Sequence, residues 1–198
     1  MMSTVAVPVP EAEVAWSLPD RGRVGMYGLI AAEAAIFTIF VVAYLFYVGK
    51  SLSGPLPNQV LHAPIVLTIC LLSSSLTIHL AVAALRDART RGFLLWWAFT
   101  IALGAVFLGG TAREWHHLIY DVGLTIRTNL FGSSFFTLTG FHGAHVTAGV
   151  LWLLTLLAID IKRGLEPKDA LLVDISALYW HFVDVVWIAI FTLVYLIR

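Results

Sequence analysis

The 198-residue chain draws 60% of its residues from the apolar set, and only 12% are charged. Soluble domains carry about 25% charged residues, so the composition excludes a water-soluble globule. Twelve basic residues balance twelve acidic ones, which argues against a nucleic-acid partner, and the single cysteine, Cys70, excludes an intrachain disulfide or a cysteine-ligated cluster.

The N-terminal stretch MMSTVAVPVPEAEVAWSLPDRGR places acids and prolines where a signal peptide needs a basic start and an apolar core. Residues 1–24 read as a flexible cytoplasmic tail, and 25–198 as one membrane domain. A membrane-spanning helix needs roughly 20 mostly apolar residues. Five segments qualify, at about 25–48, 62–84, 93–111, 132–159 and 174–197. The expected fold is therefore all-α, a polytopic bundle of five transmembrane helices.

An odd number of spans puts the termini on opposite sides. Arg21, Arg23, Arg86, Arg89, Arg91, Lys162, Arg163 and Lys168 fall on one side; Lys50, Arg113, Arg127 and Arg198 fall on the other. Cationic loops stay in the cytoplasm, so the N-terminus is expected inside and the C-terminus outside.

Of twelve acidic residues, only Glu33 and Asp184 fall well inside these spans. A charge at the bilayer centre costs about 3 kcal/mol on insertion scales, so each acid is expected to be neutral, paired or turned to the bundle interior. Glu33 lies about 12 Å deep, at 1.5 Å per helical residue. His181 and Asp184 are three apart and share a face of the fifth span. His142 and His145 share a face of the fourth. Beside them Gly140, Ala144 and Ala148 form a small-residue stripe, a close-packing surface for another helix.

Two imidazoles on one helix face cannot clamp a single haem from both sides, which weakens a b-type cytochrome. A zinc site at Glu114, His116 and His117 is disfavoured because adjacent histidines point apart on a helix. The simpler reading is a neutral Glu–His pair that satisfies both groups. Depth brings His145 nearer to Glu33 than His142, by less than the error in the span ends, so both remain candidates. These residues leave three functions open: an accessory subunit, a proton pathway or a small transporter.

Longer motifs narrow the choice. FGSSFFTLTGFHGAHVTAGVLWL (131–153) and YWHFVDVVWIAIFTLVYL (179–196) resemble the most recognisable segments of subunit III of haem–copper oxidases. GLIAAEAAIFTIFVVAY (28–44), LTICLLSSSLTIHLA (67–81) and GAVFLGGTAREWHHL (104–118) are similar to that family's glutamate-bearing, serine-rich and Glu-Trp segments, in family order. The resemblance implies a non-catalytic subunit in its short five-helix bacterial form. It implies no cofactor in this chain, with haem and copper in partner subunits I and II, and a bacterial inner-membrane location. It implies contact with membrane lipids and a bound phospholipid. It also implies a buried cluster of Glu33, His142, His145, His181 and Asp184 that supports proton uptake. The parent enzyme is expected to be a cytochrome c oxidase, with a ubiquinol oxidase or a nitric oxide reductase as alternatives.

Overall fold

A computed structural model describes residues 20–196. The expected tail, 1–24, therefore lies mostly outside the described residues. Five helices are long and apolar enough to cross a membrane, and no strand occurs among the described residues. They are α1 (Arg21–Tyr47), α3 (Ile65–Arg86), α4 (Thr90–His116), α5 (Leu130–Arg163) and α6 (Ala170–Phe191). A single turn, α2 (Pro57–Val60), begins on a proline, which has no N–H to lose at a helix start.

The helices outrun the apolar stretches. The α1 helix starts at Arg21, inside the expected tail, because Arg23 finds a carboxylate on α6. The α4 helix continues ten residues past the apolar run, through AREWHHLIYD, and closes in a π-helical turn at His117–Asp121. The long outer connection expected at 112–131 shrinks accordingly. In contrast α3 begins three residues late, after Pro64, which lacks the N–H a preceding turn would need.

Local chemistry sets the ends of α5. The Asn129 side chain accepts from the Gly132 N–H at 2.8 Å, an N-cap, and its amide donates to the Ser53 and Pro55 carbonyls at 3.1 Å. One residue thus starts the helix and ties down the preceding loop. At the far end Gly164 takes φ +69°, a left-handed stop, and the Asp160 carboxylate accepts from the Leu165 N–H at 2.7 Å.

The α3–α4 hairpin is the most extensive helix contact, and α6 packs against α1, α3 and α5. Close approach at the centre depends on glycine. A Cβ on Gly104 would lie 2.8 Å from the Trp180 ring, and one on Gly149 would lie 3.0 Å from it. The indole fills the gap those two residues leave between α4, α5 and α6.

Candidate functional site

The α1 and α5 helices bring Glu33 and His145 together. Glu33 Oε2 lies 3.2 Å from His145 Nε2, and His145 Nδ1 lies 2.8 Å from the Phe141 carbonyl oxygen. A carbonyl only accepts, so Nδ1 carries the hydrogen. The Nε2 contact then takes one of two forms: a carboxylic acid donating to neutral imidazole, or imidazolium donating to carboxylate. In both the pair has no net charge, which suits a membrane. The couple is not sealed: the Glu33 side chain is 22% exposed and that of His145 12%. It opens onto a recess of about 370 Å³ bordered by Ala144, Ala148, Trp152 and Tyr179. The Tyr179 hydroxyl donates to the His145 carbonyl at 3.2 Å and ties α6 to the same place.

His142 has a different neighbourhood. It is 1% exposed, and neither ring nitrogen has a hydrogen-bond partner among the described residues. Trp187 stacks on it at 5.1 Å, with Phe107 edge-on at 5.9 Å and Phe37 at 6.4 Å. The sequence left two candidates for Glu33; the geometry pairs His145 with it and encloses His142 in rings.

His181 and Asp184 meet through a third residue. Ser75 of α3 lies 3.0 Å from His181 Nδ1, and its hydroxyl donates to the Asp184 carboxylate. The other Asp184 oxygen has no partner among the described residues, and the residue is 2% exposed. The five polar residues expected in one cluster thus occupy three places: a couple at the α1–α5 edge, an imidazole enclosed by aromatic rings, and a serine-bridged pair between α3 and α6.

The small-residue stripe divides between two surroundings. Gly140 faces Trp115, whose ring would sit 3.0 Å from an added Cβ. Ala144 and Ala148 are exposed and border the Glu33 recess.

Several joints escaped the sequence reading. The Trp180 N–H donates to the Ser74 hydroxyl at 2.8 Å, and the Trp187 N–H to Thr68 at 3.1 Å. Thr77 and Thr100 bond at 2.7 Å across the α3–α4 hairpin. The hydroxyl run on α3 and the tryptophans on α6 were both visible; their partnership was not. Asp174 of α6 takes Arg23 of α1 at 2.9 Å and Arg86 of α3 at 2.7 Å. Glu114 accepts from the Tyr195 hydroxyl at 3.1 Å, while His117 lies 2.7 Å from Asp121 and His116 packs on Tyr120. Among the described residues no three His, Cys, Asp or Glu side chains converge as metal ligands.

Fold and site define an integral membrane protein whose buried polar groups join one helix to another. Residues 21–197 match the family described as Cytochrome c oxidase subunit III. The chain is 42% identical over 183 residues to a cytochrome c oxidase subunit 3 of Synechocystis, covering 90% of this chain and 77% of that one. It is 37% identical over 182 residues to a quinol oxidase subunit 3 of Bacillus subtilis, covering 89% of each. It is 36% identical over 195 residues to a cytochrome c oxidase subunit 3 of Corynebacterium diphtheriae, covering 96% and 94%. The chain belongs to the subunit III family of the haem–copper oxidases, and is thereby part of a membrane-bound oxidoreductase complex with other oxidase subunits.

Proposed function

We propose that the chain is the non-catalytic subunit III of a bacterial cytochrome c oxidase in the cell membrane. It packs on the haem-bearing subunit I, alongside subunit II, and steadies that assembly while oxygen is reduced and protons are moved. Haem and copper reside in those partners. The N-terminus lies in the cytoplasm, on the side that carries eight of the twelve Lys and Arg residues. The supporting observation is the family match over 21–197, which takes in nearly every described residue. The polar groups agree with a support role: Glu33, Asp184 and Asp174 each bond to a residue of another helix. The pair Glu33–His145 joins α1 to the bundle near the recess. The proposed contribution to proton uptake is indirect, through keeping the complex intact.

A quinol-oxidising parent is the second reading, favoured by the 37% identity to the Bacillus subtilis quinol oxidase subunit 3. The test is to purify the tagged chain from its native membrane in mild detergent. We expect a haem-bearing partner to come with it, and oxygen uptake driven by reduced cytochrome c. Uptake driven only by quinol selects the second reading. Recovery of the chain without any haem-bearing partner overturns both. Proton flux through liposomes holding this chain alone, lost in Glu33→Gln, would instead make it a channel.

A further inference from the structure

The outward faces of α3 and α4 differ in kind. On α4 the exposed residues from Leu94 to Val106, Leu95 and Phe99 among them, are all apolar. On α3 the exposed set includes Ile69, Ser73, Leu76, His79 and Arg86. Steps of three, four and seven separate them, so they share one face of the helix. From Ile69 to Arg86 the helix rises about 26 Å, most of the roughly 30 Å hydrocarbon core.

Two of these residues are polar within the span. The other hydroxyl residues of α3 bond inside the bundle: Thr68 to Trp187, Ser74 to Trp180, Ser75 to His181 and Thr77 to Thr100. The Ser73 and His79 side chains are exposed and take no hydrogen bond among the described residues. Lipid tails offer neither of them a partner. In a membrane such groups face a cavity or another helix, and hydroxyl and imidazole groups join helices by hydrogen bonds.

The Arg86 end of the same face carries charge. His79 and Arg86 border a recess of about 250 Å³ between α1, α3 and α6, with Arg23 and Asp174 also on its wall. Arg23 donates to Asp174 at 2.9 Å, and Arg86 donates to its two oxygens at 2.7 and 2.8 Å. Two guanidinium groups against one carboxylate leave a positive charge in excess. Arg86 uses a single terminal nitrogen on Asp174, and its side chain stays 56% exposed. A guanidinium has five donors in a planar fork suited to a carboxylate, so N–H groups remain for a second one.

We propose that this face of α3 docks a transmembrane helix of the haem-bearing partner, and that an acidic side chain of that helix enters the recess to meet Arg86. The contact presupposes the assembly proposed above. Ile69, Leu72 and Leu76 supply its apolar part. Ser73 and His79 bond polar groups of the partner helix, and the incoming carboxylate balances the excess charge. The apolar outward face of α4 is left to lipid.

The test uses the whole complex in its native membrane. The photoreactive residue p-benzoylphenylalanine is placed at position 76 of α3 and, in a second variant, at position 99 of α4. We expect position 76 to cross-link to the haem-bearing partner and position 99 mainly to lipid. The rate at which the tagged chain leaves the purified complex in detergent gives a second readout. Arg86→Gln, which keeps the Arg23–Asp174 pair, is expected to speed that loss about tenfold, the equivalent of one charge-assisted hydrogen bond. Ser73→Leu is expected to speed it about threefold, the equivalent of one interhelical hydrogen bond in a membrane. Cross-linking of position 76 to lipid or to a second copy of this chain, while the haem-bearing partner still co-purifies, overturns the docking face and leaves the assembly standing. Equal cross-linking of the partner from position 99 overturns the choice of α3 over α4. An unchanged rate in Arg86→Gln overturns the acidic side chain. Recovery of the wild-type chain without a haem-bearing partner overturns the assembly itself, and the docking face with it.

Discussion

His142 and His145 stand three residues apart on α5 and meet opposite conditions. His145 is bonded at both nitrogens, to the Phe141 carbonyl and to Glu33, and opens on a recess. His142 is bonded at neither among the described residues, and aromatic rings surround it. Phe37 packs against both, at 5.0 Å from His145 and 6.4 Å from His142. Helical spacing therefore places side chains on a common face without giving them a common environment. A bundle in lipid has two ways to hold an imidazole: pair it, or keep it neutral and stack it. The first joins helices through a specific bond; the second uses the ring mainly as an aromatic filler.

The largest effect is expected from opening the ring-lined site of His142. Phe107→Ala should destabilise the bundle by about 2–3 kcal/mol, because lipid supplies no transfer term and mainly the cavity cost remains. Detergent-induced unfolding of the purified complex measures it, and a cost below the uncertainty would show that the rings around His142 are loosely packed. His145→Phe removes the partner of Glu33 and should cost about 1–3 kcal/mol, the penalty of leaving a desolvated polar group unmet. An unchanged unfolding midpoint would mean that water already serves Glu33 in its recess. Glu33→Gln keeps a donor for the Nε2 lone pair and should cost under about 1 kcal/mol; a loss as large as that of His145→Phe would require the pair to be ionised. The smallest effect belongs to His142→Phe, which removes two unmet nitrogens and keeps a ring in place. It should lie within about 0.5 kcal/mol of wild type or on the stabilising side. A clear destabilisation would reveal a hydrogen bond to His142 that the geometry lacks.

The parts of this architecture legible in sequence are those carried by a single helix. Apolar length identified five spans, and the scarcity of acids within them pointed to Glu33 and Asp184. What stayed hidden depends on which helix stands opposite. Asp174 read as the polar edge of a span, because its partners come from α1 and α3, 151 and 88 positions away. Ser73, Ser74 and Ser75 are consecutive, so they point in three directions: the first is exposed, the second meets Trp180, and the third meets His181 and Asp184. The stripe at Gly140, Ala144 and Ala148 has the period of a packing surface. Trp180 settles against Gly104 and Gly149, which lie outside that stripe, since a small residue makes space without naming the occupant.

The ion pairs at Asp174 bear on how the chain is made. Arg23 and Arg86 are synthesised long before the carboxylate that holds them. The later helix α6 brings Asp174, which ties the first and second long helices to itself. A chain cut before α6 lacks the carboxylate that both arginines share, so this joint between the first and second long helices forms only once a later helix has been made.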